Sequence, residues 1–181
     1  MSFTKAAFFD RDGTIIKNVP YLSSIDKIEF IKPAIELCKL LYDSGYKIII
    51  VTNQSGIARG LLDETRLCEI HSFIETKFLE RQIKIEKFYF CPHHPTQAKI
   101  PKYKIDCDCR KPNPGMILRA GKEFSIDFSK SLLFGDSSSD ISAGEKAGVK
   151  SFYIQDFLEN EKPNIEMFMD ANLKVRKDSC E

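Results

Sequence analysis

The sequence predicts an α/β protein built on a mostly parallel sheet, and three observations carry that prediction. Short apolar runs alternate with segments of helical period along most of the chain. The runs are close to continuous, as in strands covered on both faces. A length of 181 residues with 43% hydrophobic content suits one sizeable core, so a single domain over residues 1–181 is expected.

Ala6–Phe9 is the first predicted strand. Lys32–Ser44 reads as a helix, with Ile35, Leu37, Leu40 and Leu41 on one side and Gly45 as its C-cap. Lys47–Val51 is the second strand. Asp63–Leu79 is the next helix, with Leu67, Ile70, Phe73, Ile74 and Phe78 at helical spacing. Ile85–Phe90 is the third strand, and Ser131–Phe134 and Ser151–Ile154 are the last two. Pro114–Lys122 and Asp140–Ala147 are shorter helices, each ended by glycine. Cys38 and Cys68 fall within helical patterns and read as core residues. Beyond Glu159 the chain is charged at both ends around Ile165, Met167 and Phe168, which fits a docked helix or a frayed end. Cys180 reads as an unpaired tail thiol.

A formal net charge of +1 gives no bulk attraction to nucleic acid or to an anionic membrane. No apolar stretch approaches a bilayer span, and Met1–Lys5 leads into the first strand without the pattern of a signal peptide. A cytoplasmic monomer without nucleic-acid or membrane partners is expected. Its six cysteines are then thiols or metal ligands rather than disulfides.

In open α/β sheets the ligand crevice lies beyond the carboxyl ends of the strands. The first strand runs into Asp10-Arg11-Asp12-Gly13-Thr14-Ile15. Alternate residues of an extended chain point the same way, so Asp10 and Asp12 face one site, with Gly13 allowing a sharp turn. Two such carboxylates suit a Mg2+ ion. They also suit a division of labour between nucleophile and general acid/base, although Asp-x-Asp-Gly is equally good turn chemistry. The second strand ends in Thr52-Asn53-Gln54-Ser55-Gly56-Ile57-Ala58-Arg59-Gly60, whose hydroxyl, amides, backbone N–H groups and Arg59 form a cradle for phosphate oxygens or a polar turn. The fourth ends in Gly135-Asp136-Ser137-Ser138-Ser139-Asp140. Asp136 offers a third carboxylate, and Asp140 reads either as a site residue or as a helix N-cap. Lys111 is placed to neutralise both a phosphate and a nucleophilic aspartate.

Residues 92–114 break the alternation. The insert is polar, proline-rich and without helical period, and a loop of that length needs a function or a staple. Cys91, His93, Cys107 and Cys109 supply the ligand set of a closed tetrahedral Zn2+ site across about residues 91–110. His93 is preferred to His94 because it alternates with Cys91.

Asp10-x-Asp12-Gly13-Thr14, Thr52-Asn53-Gln54, Lys111 and Gly135-Asp136-x-x-x-Asp140 resemble the four ordered motifs of haloacid dehalogenase superfamily phosphatases. The Thr52–Gly60 loop, Cys91-Pro92-His93-His94-Pro95 and Cys107-Asp108-Cys109-Arg110-Lys111-Pro112-x-Pro114-Gly115-Met116 resemble the D-glycero-D-manno-heptose-1,7-bisphosphate 7-phosphatases. The resemblance runs from about Phe8 to Gly148. It implies a Rossmann-like three-layer fold with minimal capping, and a Mg2+-dependent phosphatase feeding lipopolysaccharide or another surface glycan. In that reading Asp10 is the nucleophile and Asp12 the acid/base. Mg2+ is held by the Asp10 carboxylate, the Asp12 backbone carbonyl and Asp136. Thr52 and Lys111 hold the phosphoryl group, Asn53, Arg59 and Arg110 recognise the phosphorylated sugar, and the zinc is structural. Ser137 stands where these phosphatases commonly carry Lys or Arg. The competing readings are a histidinol-phosphate phosphatase, a DNA 3′-phosphatase and a catalytically dead sugar-phosphate-binding module. The presence of Asp10, Asp12, Lys111 and Asp136 together argues against the last.

Overall fold

A computed structural model describes residues 4–158. The expectations for the tail beyond Glu159 and for Cys180 lie outside these residues. Five strands, β1 (Ala6–Phe9), β2 (Lys47–Asn53), β3 (Ile85–Cys91), β4 (Leu132–Gly135) and β5 (Lys150–Tyr153), form one sheet in the order β3-β2-β1-β4-β5. Every pairing is parallel. Each strand lies within two residues of its predicted bounds. The interior strands β1, β2 and β4 are buried on both faces, as their apolar runs require. The two edge strands depart from that expectation: β3 alternates buried and open positions, and β5 is half-exposed throughout. In β3, Glu86 and Lys87 stand on the edge, where charged side chains discourage pairing with another chain.

Helices α1 (Lys32–Asp43), α2 (Glu64–Leu79), α3 (Gly115–Phe124) and α4 (Ser138–Ala147) connect the strands, and a short α5 (Gln155–Leu158), not expected from the sequence, follows β5. Alternation along β1 divides the core. Ala7 and Phe9 pack with Ile35, Leu41, Ile74 and Phe78 on the α1/α2 face, while Ala6 and Phe8 pack with Met116, Ile117, Ala143 and Ala147 on the α3/α4 face. The result is three layers.

Pro33 opens α1 and Ser44 closes it, with Gly45 at φ +82° just beyond. Asp63 caps α2 by accepting from Arg66 N–H at 2.7 Å. On α2 the buried residues are Leu67, Ile70, His71, Ile74 and Phe78. Phe73 is only half-buried beneath Lys77, and Cys68, expected in the core, is exposed. The predicted glycine stop of α3 also moves: the helix runs through Gly121 to Phe124 and ends on Ser125 in the left-handed region. Gly121 serves packing instead, because a Cβ there would lie 2.2 Å from the Phe128 ring. Among the described residues no helix is long and apolar enough to cross a membrane. Among the described residues, the segments after β1 and β3, where a cap would be inserted, carry one 3-10 turn each, with isolated bridges joining Asp12 to Ile16 and Ile16 to Phe30.

Candidate active site

The order β3-β2-β1-β4-β5 reverses direction at β1, and a cleft of about 450 Å³ opens over the carboxyl ends of β1, β2 and β4. Asp10, Asp12, Thr52, Asn53, Lys111 and Asp136 all line it. Asp10 follows β1 directly, and its N–H donates to Phe134 O at 2.9 Å, carrying the β1–β4 ladder one step beyond the strands. Gly13 makes the turn after Asp12 at φ +79°. A Cβ there would lie 2.1 Å from Asp136 Oδ2, so glycine also leaves room for the third carboxylate.

Lys111 sits at the centre, 3% exposed in its side chain. Its Nζ lies 2.7 Å from Asp10 Oδ1 and 2.5 Å from Asp140 Oδ1, and donates to Val51 O at 2.8 Å. Asn53 fixes this segment by donating to Lys111 O at 3.0 Å and accepting from Lys111 N–H at 3.1 Å. Burial alone pulls the Lys111 ammonium down, but the Asp10 and Asp140 carboxylates outweigh it and hold its pKa above the ordinary value. Asp10 shares that one cation with Asp140. Burial raises its pKa to about 7, against the opposing pull of Lys111. Asp136 is raised as well, by burial and then by Asp140.

Asp10, Asp136 and Asp140 each present an oxygen within 4.8 Å of the others. Three carboxylates against one ammonium leave two negative charges in a partly buried cleft, and a divalent cation is what balances them. The residues therefore fit Mg2+. Asp140 takes part in the charge balance and is not the N-cap. Ser137 is the cap, and Asp140 completes a capping box as the third residue of α4, its Oδ2 accepting from Ser137 N–H at 3.1 Å and Ser137 Oγ at 2.6 Å.

Asp12 stands apart from this cluster. Both its oxygens accept from Arg11: Nη2 donates at 3.0 and 2.9 Å, and Nε at 3.2 Å to each. Gln54 Nε2 adds a bond of 2.8 Å to Asp12 Oδ2 and another of 2.9 Å to Thr52 Oγ1. Arg11 and His71, whose Nε2 lies 3.2 Å from Arg11 Nη1, were missed by sequence reasoning, and Gln54, read only as part of the phosphate cradle, holds Asp12 instead. The available signal was helical spacing, which puts His71 on the apolar face of α2 between Leu67 and Ile74.

Arg59 and Arg110 lie outside the cleft lining. Arg59 stacks over Tyr21 at 5.5 Å and bonds Gln97, while Arg110 donates to His93 O at 3.2 Å. Tyr21, with φ +51°, does line the cleft.

Beside this rim, Cys91, His93, Cys107 and Cys109 converge. The Sγ atoms lie 3.1, 3.2 and 3.5 Å apart, and His93 Nδ1 is 3.4 Å from Cys109 Sγ and 3.7 Å from Cys91 Sγ. These separations are too long for disulfides and approach the edges of a zinc tetrahedron, about 3.8 Å for Zn–S bonds of about 2.3 Å. Hydrogen bonding with Cys91 brings the Cys109 thiol down to about 5, whereas its bond to Cys109 and then burial push Cys91 up. His94 is not part of the cluster; its Nδ1 accepts from the Thr96 and Gln97 N–H groups. The cluster compensates for a small local core of Ile57, Ala58, Leu67 and Tyr103.

This sheet order, with paired aspartates after β1, a threonine on β2, a buried lysine before α3 and an aspartate after β4, defines a phosphatase of the haloacid dehalogenase class. The model of the family described as Polynucleotide kinase 3 phosphatase matches residues 5–166. A D-glycero-alpha-D-manno-heptose-1,7-bisphosphate 7-phosphatase from Photorhabdus laumondii is 43% identical over 150 residues, 83% of this chain and 81% of that protein. The beta-anomer phosphatase of the same organism is 42% identical over 144 residues, 80% of this chain and 76% of that protein. Among solved structures, a HAD-like phosphatase from Mesorhizobium loti superposes with a TM-score of 0.77 at 32% identity, over 81% of this chain and 70% of that one. The D,D-heptose 1,7-bisphosphate phosphatase of B. bronchiseptica, complexed with magnesium and phosphate, shares the fold at TM-score 0.72 and 22% identity, over 93% and 99%. The chain belongs to the polynucleotide kinase 3 phosphatase family, and its curated relatives place it with the D-glycero-D-manno-heptose-1,7-bisphosphate 7-phosphatases.

Proposed function

We propose that this protein is a Mg2+-dependent phosphatase that removes the 7-phosphate of D-glycero-D-manno-heptose 1,7-bisphosphate through an aspartyl-phosphate on Asp10, supplying heptose for lipopolysaccharide or another surface glycan. The carrying observation is the cluster of Asp10, Asp136 and Asp140 around the buried Lys111 ammonium, with Asp12 held separately by Arg11 and Gln54. The substrate follows from the names of the curated relatives.

Asp10 attacks phosphorus while Lys111 screens it from the incoming phosphate. Asp12 gives its proton to the leaving sugar oxygen and later takes one from the water that hydrolyses the aspartyl-phosphate. Thr52 Oγ1 and the Lys111 ammonium hold the transferred phosphoryl group. Asp10 and Asp136, with the Asp12 backbone carbonyl, would hold the cation, which would supply charge neutralisation between nucleophile and phosphate. Asn53 sets the Lys111 segment, Arg59 and Arg110 serve the sugar and its second phosphate from the rim, and Cys91, His93, Cys107 and Cys109 would hold a structural zinc beside it. The same reading makes the protein a single-domain cytoplasmic monomer whose partner is a small phosphorylated sugar, with no nucleic acid or membrane.

The test is phosphate release from the sugar bisphosphate with Mg2+ present, wild type against Asp10→Asn. The variant should release none and should form no acid-stable phosphoryl-protein. Turnover retained by Asp10→Asn would remove Asp10 as nucleophile.

A further inference from the structure

We infer that His71, acting through Arg11, is a positioning residue that sets the Asp12 carboxyl for proton transfer to the leaving oxygen. The inference rests on the phosphatase reading above and assigns a role in it to a residue that lines no part of the cleft.

Arg11 is 1% exposed. A guanidinium has five N–H donors in a fixed plane and no acceptor. Nε and Nη2 are directed at the two oxygens of Asp12, which leaves Nη1 on the far side of the plane. Nη1 meets His71 Nε2 at 3.2 Å. Because arginine only donates, Nε2 must be the unprotonated nitrogen and accept. Burial, and then the charge of Arg11, bring the His71 pKa down to about 3, so the imidazole stays neutral at any working pH. The ring cannot turn away. It stacks on Phe88 at 4.3 Å and 13° and meets Phe90 edge-on at 6.1 Å. An acceptor on α2, backed by two β3 rings, thus pins one end of the guanidinium, and the other end pins Asp12, whose Oδ2 also accepts from Gln54.

The orientation matters at one step. The Asp10 oxygen forms its bond to phosphorus, the bond from phosphorus to the sugar oxygen breaks, and its electron pair takes the Asp12 proton. Water then attacks phosphorus, returns a proton to Asp12 and frees phosphate from Asp10. A sugar alkoxide is a poor leaving group and needs that proton, whereas a nitrophenolate departs without it. Without an acceptor at His71, a buried Nη1–H loses its partner and the guanidinium plane is free to pivot off Asp12.

The experiment compares kcat/KM for an alkyl phosphate, the sugar bisphosphate, with that for p-nitrophenyl phosphate. This ratio reports the chemistry up to departure of the leaving group and excludes the shared hydrolysis step. His71→Phe keeps the aromatic stack and removes the acceptor. It should lower kcat/KM at least about tenfold on the alkyl phosphate, a fraction of the full value of general-acid catalysis, and change it less than about twofold on the aryl phosphate. His71→Gln restores an acceptor near Nε2 and should recover most of the loss. His71→Asn, too short to reach Nη1, gives the same readout should the phenylalanine variant not fold. Equal losses on both substrates, or no loss on either, would overturn the inference. Wild-type turnover of the sugar bisphosphate checks the underlying activity separately, and any other alkyl phosphate that the wild type hydrolyses serves equally well in the comparison.

Discussion

Lys111 is buried between two carboxylates, Asp10 and Asp140, and pairs with both. Replacing it with methionine keeps volume but leaves Asp10 and Asp140 buried without their cation. Breaking a buried pair in this way costs about 3–5 kcal/mol. The urea midpoint should therefore fall sharply in a chelator and recover in part with Mg2+, which restores positive charge to the same carboxylates. Equal midpoints for Lys111→Met and wild type would show that the ammonium is not what stabilises the cluster. His71 makes a pH prediction. Its folded pKa, about 3, lies below the ordinary histidine value, so the unfolded chain binds its proton first as pH falls. Stability tied to neutral His71 is complete above about pH 6.5 and is lost progressively toward pH 3. Between pH 6 and 4, wild type should lose about 1 kcal/mol per pH unit more than His71→Gln, read from urea midpoints; parallel slopes would mean that His71 protonates in the folded state. Of these residues, Lys111 was legible because it accompanies three other motifs. Arg11 and His71 were not, since a polar residue inside an apolar helical stripe gives no sign of its partner until the strands bring residues sixty positions apart together.

At the level of elements, the sequence pattern marked the interior strands well because β1, β2 and β4 are covered on both faces and their composition is dictated by burial. Edge strands answer to other constraints: β3 mixes Glu86 and Lys87 with Phe88, and its half-open pattern follows from having one neighbour. The end of α3 was misplaced because a glycine normally signals a stop, whereas Gly121 is there to admit the Phe128 ring. Gly121→Ala should thus destabilise by about 1–3 kcal/mol through overpacking, even though alanine is the better helix former. An unchanged urea midpoint would contradict that. At the start of α4 the structure resolves the two roles left open for Asp140. It closes the capping box with Ser137 through one oxygen and meets Lys111 through the other. The Ser137 hydroxyl is thereby committed to the helix cap.

For the whole molecule, the sheet order matters more than any element, because it delivers the ends of β1, β2 and β4 to one cleft. The Cys91, His93, Cys107 and Cys109 cluster gathers by a different device. The loop between β3 and α3 has little core of its own, and Gly115 N–H to Asp108 O at 3.0 Å ties its end to the start of α3. Cys107→Ser should remove most of the bound zinc and lower thermal stability; full zinc occupancy in that variant, by metal analysis, would refute the assigned ligand set. The gathering of Cys91, His93, Cys107 and Cys109 was legible from two close Cys/His pairs in a long polar loop that needs a staple, but the packing of the loop on Ile57 and Ala58 was not, since it depends on contacts far apart in sequence. Together these parts suit the chemistry of a sugar bisphosphate phosphatase. That activity is tested most directly by kcat/KM for phosphate release with Mg2+ from both anomers of D-glycero-D-manno-heptose 1,7-bisphosphate, beside histidinol phosphate and a DNA 3′-phosphate. One heptose anomer should be preferred over the last two by at least about a hundredfold, a difference of about 2.7 kcal/mol in transition-state binding. A preference for histidinol phosphate or for the DNA end would contradict it.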